Sequence, residues 1–255
     1  MTKIRKRTNK VFIFLFLALS FGICLTMADM FSSMIAVGGF NFTSNAVTVQ
    51  SFSLYAISVN DATTNALAED MSATTKDQGG AGYIYLDGNN YYILASLYEN
   101  LSDAEKVKSK ILSQKPKAQI ITLEFDALRF DNSLESQEKE TLTSALNIFK
   151  STYKKLYDLA VSLDTNVKSE VAAKLEVNTI KNSVSKIKND FSTIFKDTKD
   201  TGLINIKSSL QKLETSLTSL MENNSTDYSY STYVKYEYIN DMMIYKDLCD
   251  IIVKK

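Results

Sequence analysis

YIYLDGNNYYILASLYENLSDAEKVKSKILSQKPKAQIITLEF, residues 83–125, holds the signals that decide the fold. It opens with a short β-rich run, Tyr83 to Leu86. Asp87-Gly88-Asn89-Asn90 follows, a hairpin signal because Gly and Asn tolerate positive φ. Tyr91 to Tyr98 then reads as a second strand. Ser102 with Glu105 three residues on has the form of a capping box, so a helix is expected here with Ala104, Val107, Ile111 and Leu112 on its apolar face. Pro116 blocks its continuation, and Ala118 to Phe125 reads as a last strand.

Moving toward the N-terminus, Val47 to Val59 is β-branched and aromatic, with partial alternation, and reads as one strand. Asp61 stands where a helix N-cap is expected, with Ala62, Ala66, Leu67 and Met71 at helical spacing, and Gly79-Gly80-Ala81-Gly82 ends that helix. The order over residues 47–126 is therefore β-α-β-β-α-β, the split βαβ or ferredoxin-like unit. In that topology the first and third strands are central. Two helices cover one sheet face, and the other face is expected to stay open. Ile93, Ala95 and Leu97 form the more apolar side of the third strand and suit the covered face. Ser53, Tyr55, Ile57, Tyr92, Leu94 and Ser96 are then expected on the open one.

The stretches SLYAISV (53–59), GGAGYIYLDG (79–88) and NNYYILASLYENLSDAEKVKSKI (89–111), taken with the element order, resemble the sporulation-related repeat, or SPOR, domain of low-GC, spore-forming bacteria. The resemblance covers about a third of the chain. It implies binding to peptidoglycan, in particular to glycan strands stripped of their stem peptides, during sporulation or cell division. The six residues of the expected open face are then the glycan-binding candidates. Tyr rings would pack on the CH faces of sugars, and the serines would meet hydroxyls. The chain departs from the family at Val59 and Ser96, where Gly is common, and at Ile57, where the family has a polar Gln. Those departures motivate an alternative: a structural or interaction protein whose SPOR-like domain makes protein contacts instead of sugar contacts.

After Asp126 strand signals vanish. Leu142, Leu146, Phe149, Tyr153, Leu156 and Ala160 alternate spacings of four and three. Residues from Ala173 to Ile194 and from Leu203 to Leu220 do the same, each forming the seam of a packed helix. A fourth, less regular helix near residues 231–253 is rich in tyrosine: Tyr228, Tyr230, Tyr233, Tyr236, Tyr238 and Tyr245 fall in or beside it. Short breaks between the segments favour an antiparallel bundle over residues 131–255. The tyrosines read either as bundle packing or as a surface for a protein partner.

Residues 1–10 form a basic tail with Lys3, Arg5, Lys6, Arg7 and Lys10, followed by the uncharged run Val11 to Met27. A membrane span needs about 20 apolar residues. The run with its flank, residues 11–37, is expected to be a single-pass anchor with the N-terminus inside and the rest exported. No clean small-x-small cleavage site follows it, which favours an anchor over a signal peptide. Residues 38–46 read as a linker. Setting aside those five charges leaves 24 basic against 29 acidic residues, which argues against a nucleic-acid partner. The chain has no His, which removes Ser-His and Cys-His catalysis. Its two cysteines, Cys24 and Cys249, offer no disulfide framework. The sequence thus points to an α+β protein that is no enzyme and carries no metal or cofactor.

Overall fold

Two strands open the fold, β1 (Val47–Val49) and β2 (Phe52–Ala62). Helix α1 (Asn65–Asp77) leads into the hairpin of β3 (Tyr83–Asp87) and β4 (Asn90–Tyr98). Helix α2 (Leu101–Ile111) connects to β5 (Gln119–Phe125) and the short β6 (Leu128–Phe130). Four long helices complete it: α3 (Ser136–Asp164), α4 (Glu170–Ile194), α5 (Thr201–Glu222) and α6 (Tyr230–Val253). The structure, a computed structural model, describes residues 46–130 and 133–253. The expected basic tail and anchor, and all but the last residue of the expected linker, lie outside the described residues. No described helix is long and apolar enough to cross a membrane.

The main sheet runs β3-β4-β2-β5 and is antiparallel throughout, so the first and third strands of the β-α-β-β-α-β unit are central as expected. Local signals set its ends. In the β3–β4 hairpin Asp87 pairs with Asn90, and Gly88 takes φ +58, a conformation an L side chain resists. Several boundaries differ from the sequence expectation. Val47 to Val59 is two strands, because β1 leaves the sheet to pair with β6, with Val47 opposite Phe130. β6 itself was not expected after Asp126; three residues are too few to show a period of two. Asp61 does not cap α1: it stays in β2 opposite Tyr92, and Thr64 caps instead, accepting from the Leu67 N–H. Ser102 lies inside α2, whose N-cap is Asn100, so the expected Ser102–Glu105 box does not form.

Helices α1 and α2 cover one sheet face. Ile57, Val59 and Ile93 are buried there with Ala68 and Ala104. The other face is not open. Leu54, Ala56, Leu94, Leu97, Leu123 and Phe125 are continuous with the core of the helical bundle. In the bundle each helix packs on the next, and α6 packs back on α3, closing an up-down four-helix arrangement. Its buried residues are those of the sequence seams: Leu142, Leu146, Phe149, Tyr153 and Leu156 on α3, with Leu203, Ile206, Leu210, Leu213 and Leu217 on α5. The physical reason for the closed face is the apolar content of its strands. Each buried Leu or Phe contributes about 1.5–3 kcal/mol, so an open face carrying Leu54, Leu94, Leu97, Leu123 and Phe125 would forfeit roughly ten kcal/mol. Described residues of the 47–126 and 131–255 segments therefore contribute to one continuous core and fall in one compact unit.

Candidate functional site

The six residues expected to share an open face do not share one. Ser58 is opposite Leu94 while Ile57 is opposite Ser96, which leaves Ala95 as an extra residue in β4. Such a bulge interrupts the alternation of faces. Ile57 is fully buried on the α1/α2 side, and Tyr55 packs half-buried against the same cluster. Ser96 is paired across from Ile57 and is half-buried. Leu94 is fully buried on the bundle side, where Tyr92 packs half-buried. Ser53 is half-buried near the strand's start, opposite Glu124. Of the side expected to be covered, Ile93 and Ala95 do face α1 and α2, but Leu97, beyond the bulge, joins the bundle core.

What occupies the bundle-side face is α6. The Tyr245 ring lies 6.0 Å from that of Phe125 and 6.2 Å from that of Phe52, and Phe52 stacks on Phe125 at 4.5 Å. Tyr236 meets Tyr83 with 5.2 Å between centroids, and Lys76 of α1 sits 4.9 Å over the Tyr236 ring. From α3, the Tyr153 hydroxyl donates to the Leu97 carbonyl at 3.2 Å, and Tyr153 meets Tyr238 edge to face at 5.8 Å. Several of the tyrosines read either as packing or as a partner surface are thus packed against the chain's own sheet. Polar contacts clasp the edges. Lys235 donates to the Gly79 carbonyl at 2.8 Å and pairs with Asp164 at 2.6 Å, while Lys246 donates to the Glu124 carbonyl at 3.2 Å. Burial raises the phenol pKa of Tyr83, Tyr98, Tyr153 and Tyr238, so these rings serve as neutral donors.

A depression of about 940 Å³, open to solvent, runs along α5 between α4 and α6. Lys188, Lys207, Lys212, Gln211 and Asn240 line it, and no carboxylate does. It presents donors to solvated anions but no enclosed cavity, and Lys188 is already paired with Glu214. Among the described residues no group of three or more His, Cys, Asp and Glu side chains could hold a metal ion. Cys249 is buried, and burial, the largest influence, pushes its thiol up to about 12, which is unsuited to a nucleophile.

Two polar groups inside the bundle had no signal in the sequence. Asp241 on α6 is wholly buried, and neither carboxylate oxygen has a hydrogen-bond partner among the described residues. Glu237, one turn earlier, is 6 % exposed and hydrogen-bonded by Asn240 at 3.3 Å and by Ser216. Burial, and then the like charge of Glu237, holds the Asp241 carboxyl well above the usual carboxylate range. The residue reads as solvated helix surface until α6 is placed against its neighbours.

The chain matches no protein-family model, no curated protein and no solved structure.

Proposed function

We propose that this chain is a membrane-tethered interaction protein of the bacterial cell envelope, acting as a structural part of a sporulation or division complex, and not an enzyme. The observation that carries this reading is the closed strand face: Leu94 is fully buried beneath the bundle, with Tyr153, Tyr236 and Tyr245 seated along the strands. A glycan strand needs an exposed platform for its sugar rings, and here that platform is filled intramolecularly. The departures at Ile57, Val59 and Ser96 from the SPOR pattern support the same conclusion. The run Val11 to Met27 supplies the tether, with the remainder outside the cytoplasm. Contacts to a protein partner fall on the outer surface of the bundle. There Val167, Val171 and Leu175 are exposed apolar side chains near the α3–α4 turn.

The test is a pull-down of the exported region with purified sacculi, intact and amidase-stripped. The expected result is no greater retention on stripped sacculi. Retention on stripped sacculi that Tyr55→Ala or Tyr92→Ala abolishes, with folding preserved, would restore the glycan-binding function.

A further inference from the structure

Helix α6 does two jobs in this fold: it closes the four-helix ring against α3 and it covers the strand face. Midway along it lies Asp241, wholly buried, with no hydrogen-bond partner of normal geometry among the described residues and only the Tyr153 backbone tempering the rise in its pKa. Thr152 on α3 is likewise buried, and its hydroxyl has no hydrogen-bond partner among the described residues. Among the described residues, the influences that act on Asp241 include no cation. Glu237 on the same helix adds a like charge. Helix α3 contributes Tyr153 and Tyr157, and β4 contributes Tyr98. Helix α5 contributes Ser216, and its Glu214 is held by Lys188. The nearest salt bridges of α6, Lys235 with Asp164 and Lys246 with Asp250, lie more than a turn away toward its two ends.

An ionised carboxylate in such a place must be hydrated, and hydration requires the helix to move. We propose that Asp241 is a proton-operated latch: protonated, it lets α6 stay seated on α3 and the sheet; ionised, it loosens α6 and uncovers the strand face around Tyr83, Tyr92 and Leu94. The same sequence then presents two surfaces, a closed one at acid pH and an opened one as pH rises. The latch rests on the reading of the sheet as a surface occupied from within the chain.

The experiment is hydrogen–deuterium exchange of the full chain in lipid nanodiscs between pH 5 and 9, corrected for intrinsic exchange. Peptides from α6 and β4 are followed in wild type, Asp241→Asn and Glu237→Gln. One proton released on opening changes the closed-to-open ratio by about tenfold per pH unit. Wild-type protection of α6 and β4 should fall together by at least that factor, and in Asp241→Asn the fall should be smaller by about tenfold per pH unit. Glu237→Gln should remove only the share of the dependence that Glu237 carries and keep a fall of about tenfold per pH unit, because Asp241 remains. Should Asp241→Asn fail to fold, Glu237→Gln decides: a retained dependence supports the latch, and a lost one assigns the proton to Glu237 and overturns it. Protection independent of pH in wild type, or equally dependent in Asp241→Asn, also overturns it. Unprotected β4 at every pH would instead refute the closed strand face itself.

Discussion

Leu94 and Tyr92 lie on the same side of β4, and both face protein rather than solvent. Leu94→Ala should therefore cost about 2–5 kcal/mol, the range for a fully buried leucine, read as a lower urea midpoint of the exported region. An open-face leucine would cost well under 1 kcal/mol. Asp241 gives the second prediction at this scale. Its folded-state pKa is raised, so between the ordinary aspartate value near 4 and that raised value the folded chain holds more protons than the unfolded one. Stability is accordingly greatest at acid pH and declines as pH rises through that window, by up to about 1.4 kcal/mol per pH unit for this group. Glu237, raised first by burial, acts in the same direction. Urea midpoints at pH 5 and pH 8 check this: wild type should be weaker at pH 8, and Asp241→Asn should narrow the gap. Individual residues were the least legible part of the sequence. Period-two alternation places Tyr92 and Leu94 together correctly. It fails at Ser96 and Leu97 because one extra residue, Ala95, enters β4, and nothing in YYILASLY marks that bulge.

Whole elements were more legible than their ends. The seams of α3, α4 and α5 are long and regular, so their existence and breaks follow from spacing alone, and the hairpin follows from Asp87-Gly88-Asn89-Asn90. Ends depend on single hydrogen bonds: Thr64 displaces Asp61 as the α1 cap because Asp61 is held in the β2 ladder. Helix α6 is less regular because it serves two surfaces. Tyr238, Met242 and Cys249 are buried in the shared core, while Tyr236 and Tyr245 reach the strands. Ending the chain after Asn224 should then expose both surfaces at once. The expected outcome is a soluble yield well below that of the intact chain, and strong binding of a hydrophobic dye by what remains. A truncated chain that stays monomeric with native-like sheet signals would show that α6 is not the cover.

At the scale of the molecule, the sequence shows a β-α-β-β-α-β unit followed by a helical bundle, but not that the two join. Each segment on its own has a conventional solution, with two helices on a sheet and four helices in a ring. Only the surplus of apolar side chains on the strands, Leu54, Leu94, Leu97, Leu123 and Phe125, hints that a third layer is needed. The face expected to be open is covered for that reason, since an argument from one domain's helices could not see the helices of the next. The claim that the bundle closes this face is tested most directly by nuclear Overhauser effects in the region from residue 46 onward. Tyr245 reports on both neighbours, with ring centroids 5.2 Å from Phe149 of α3 and 6.0 Å from Phe125 of β5. Cross-peaks from Tyr245 to both rings are the predicted result; cross-peaks to Phe149 with none to Phe125 would mean that the bundle folds apart from the sheet and leaves its face open.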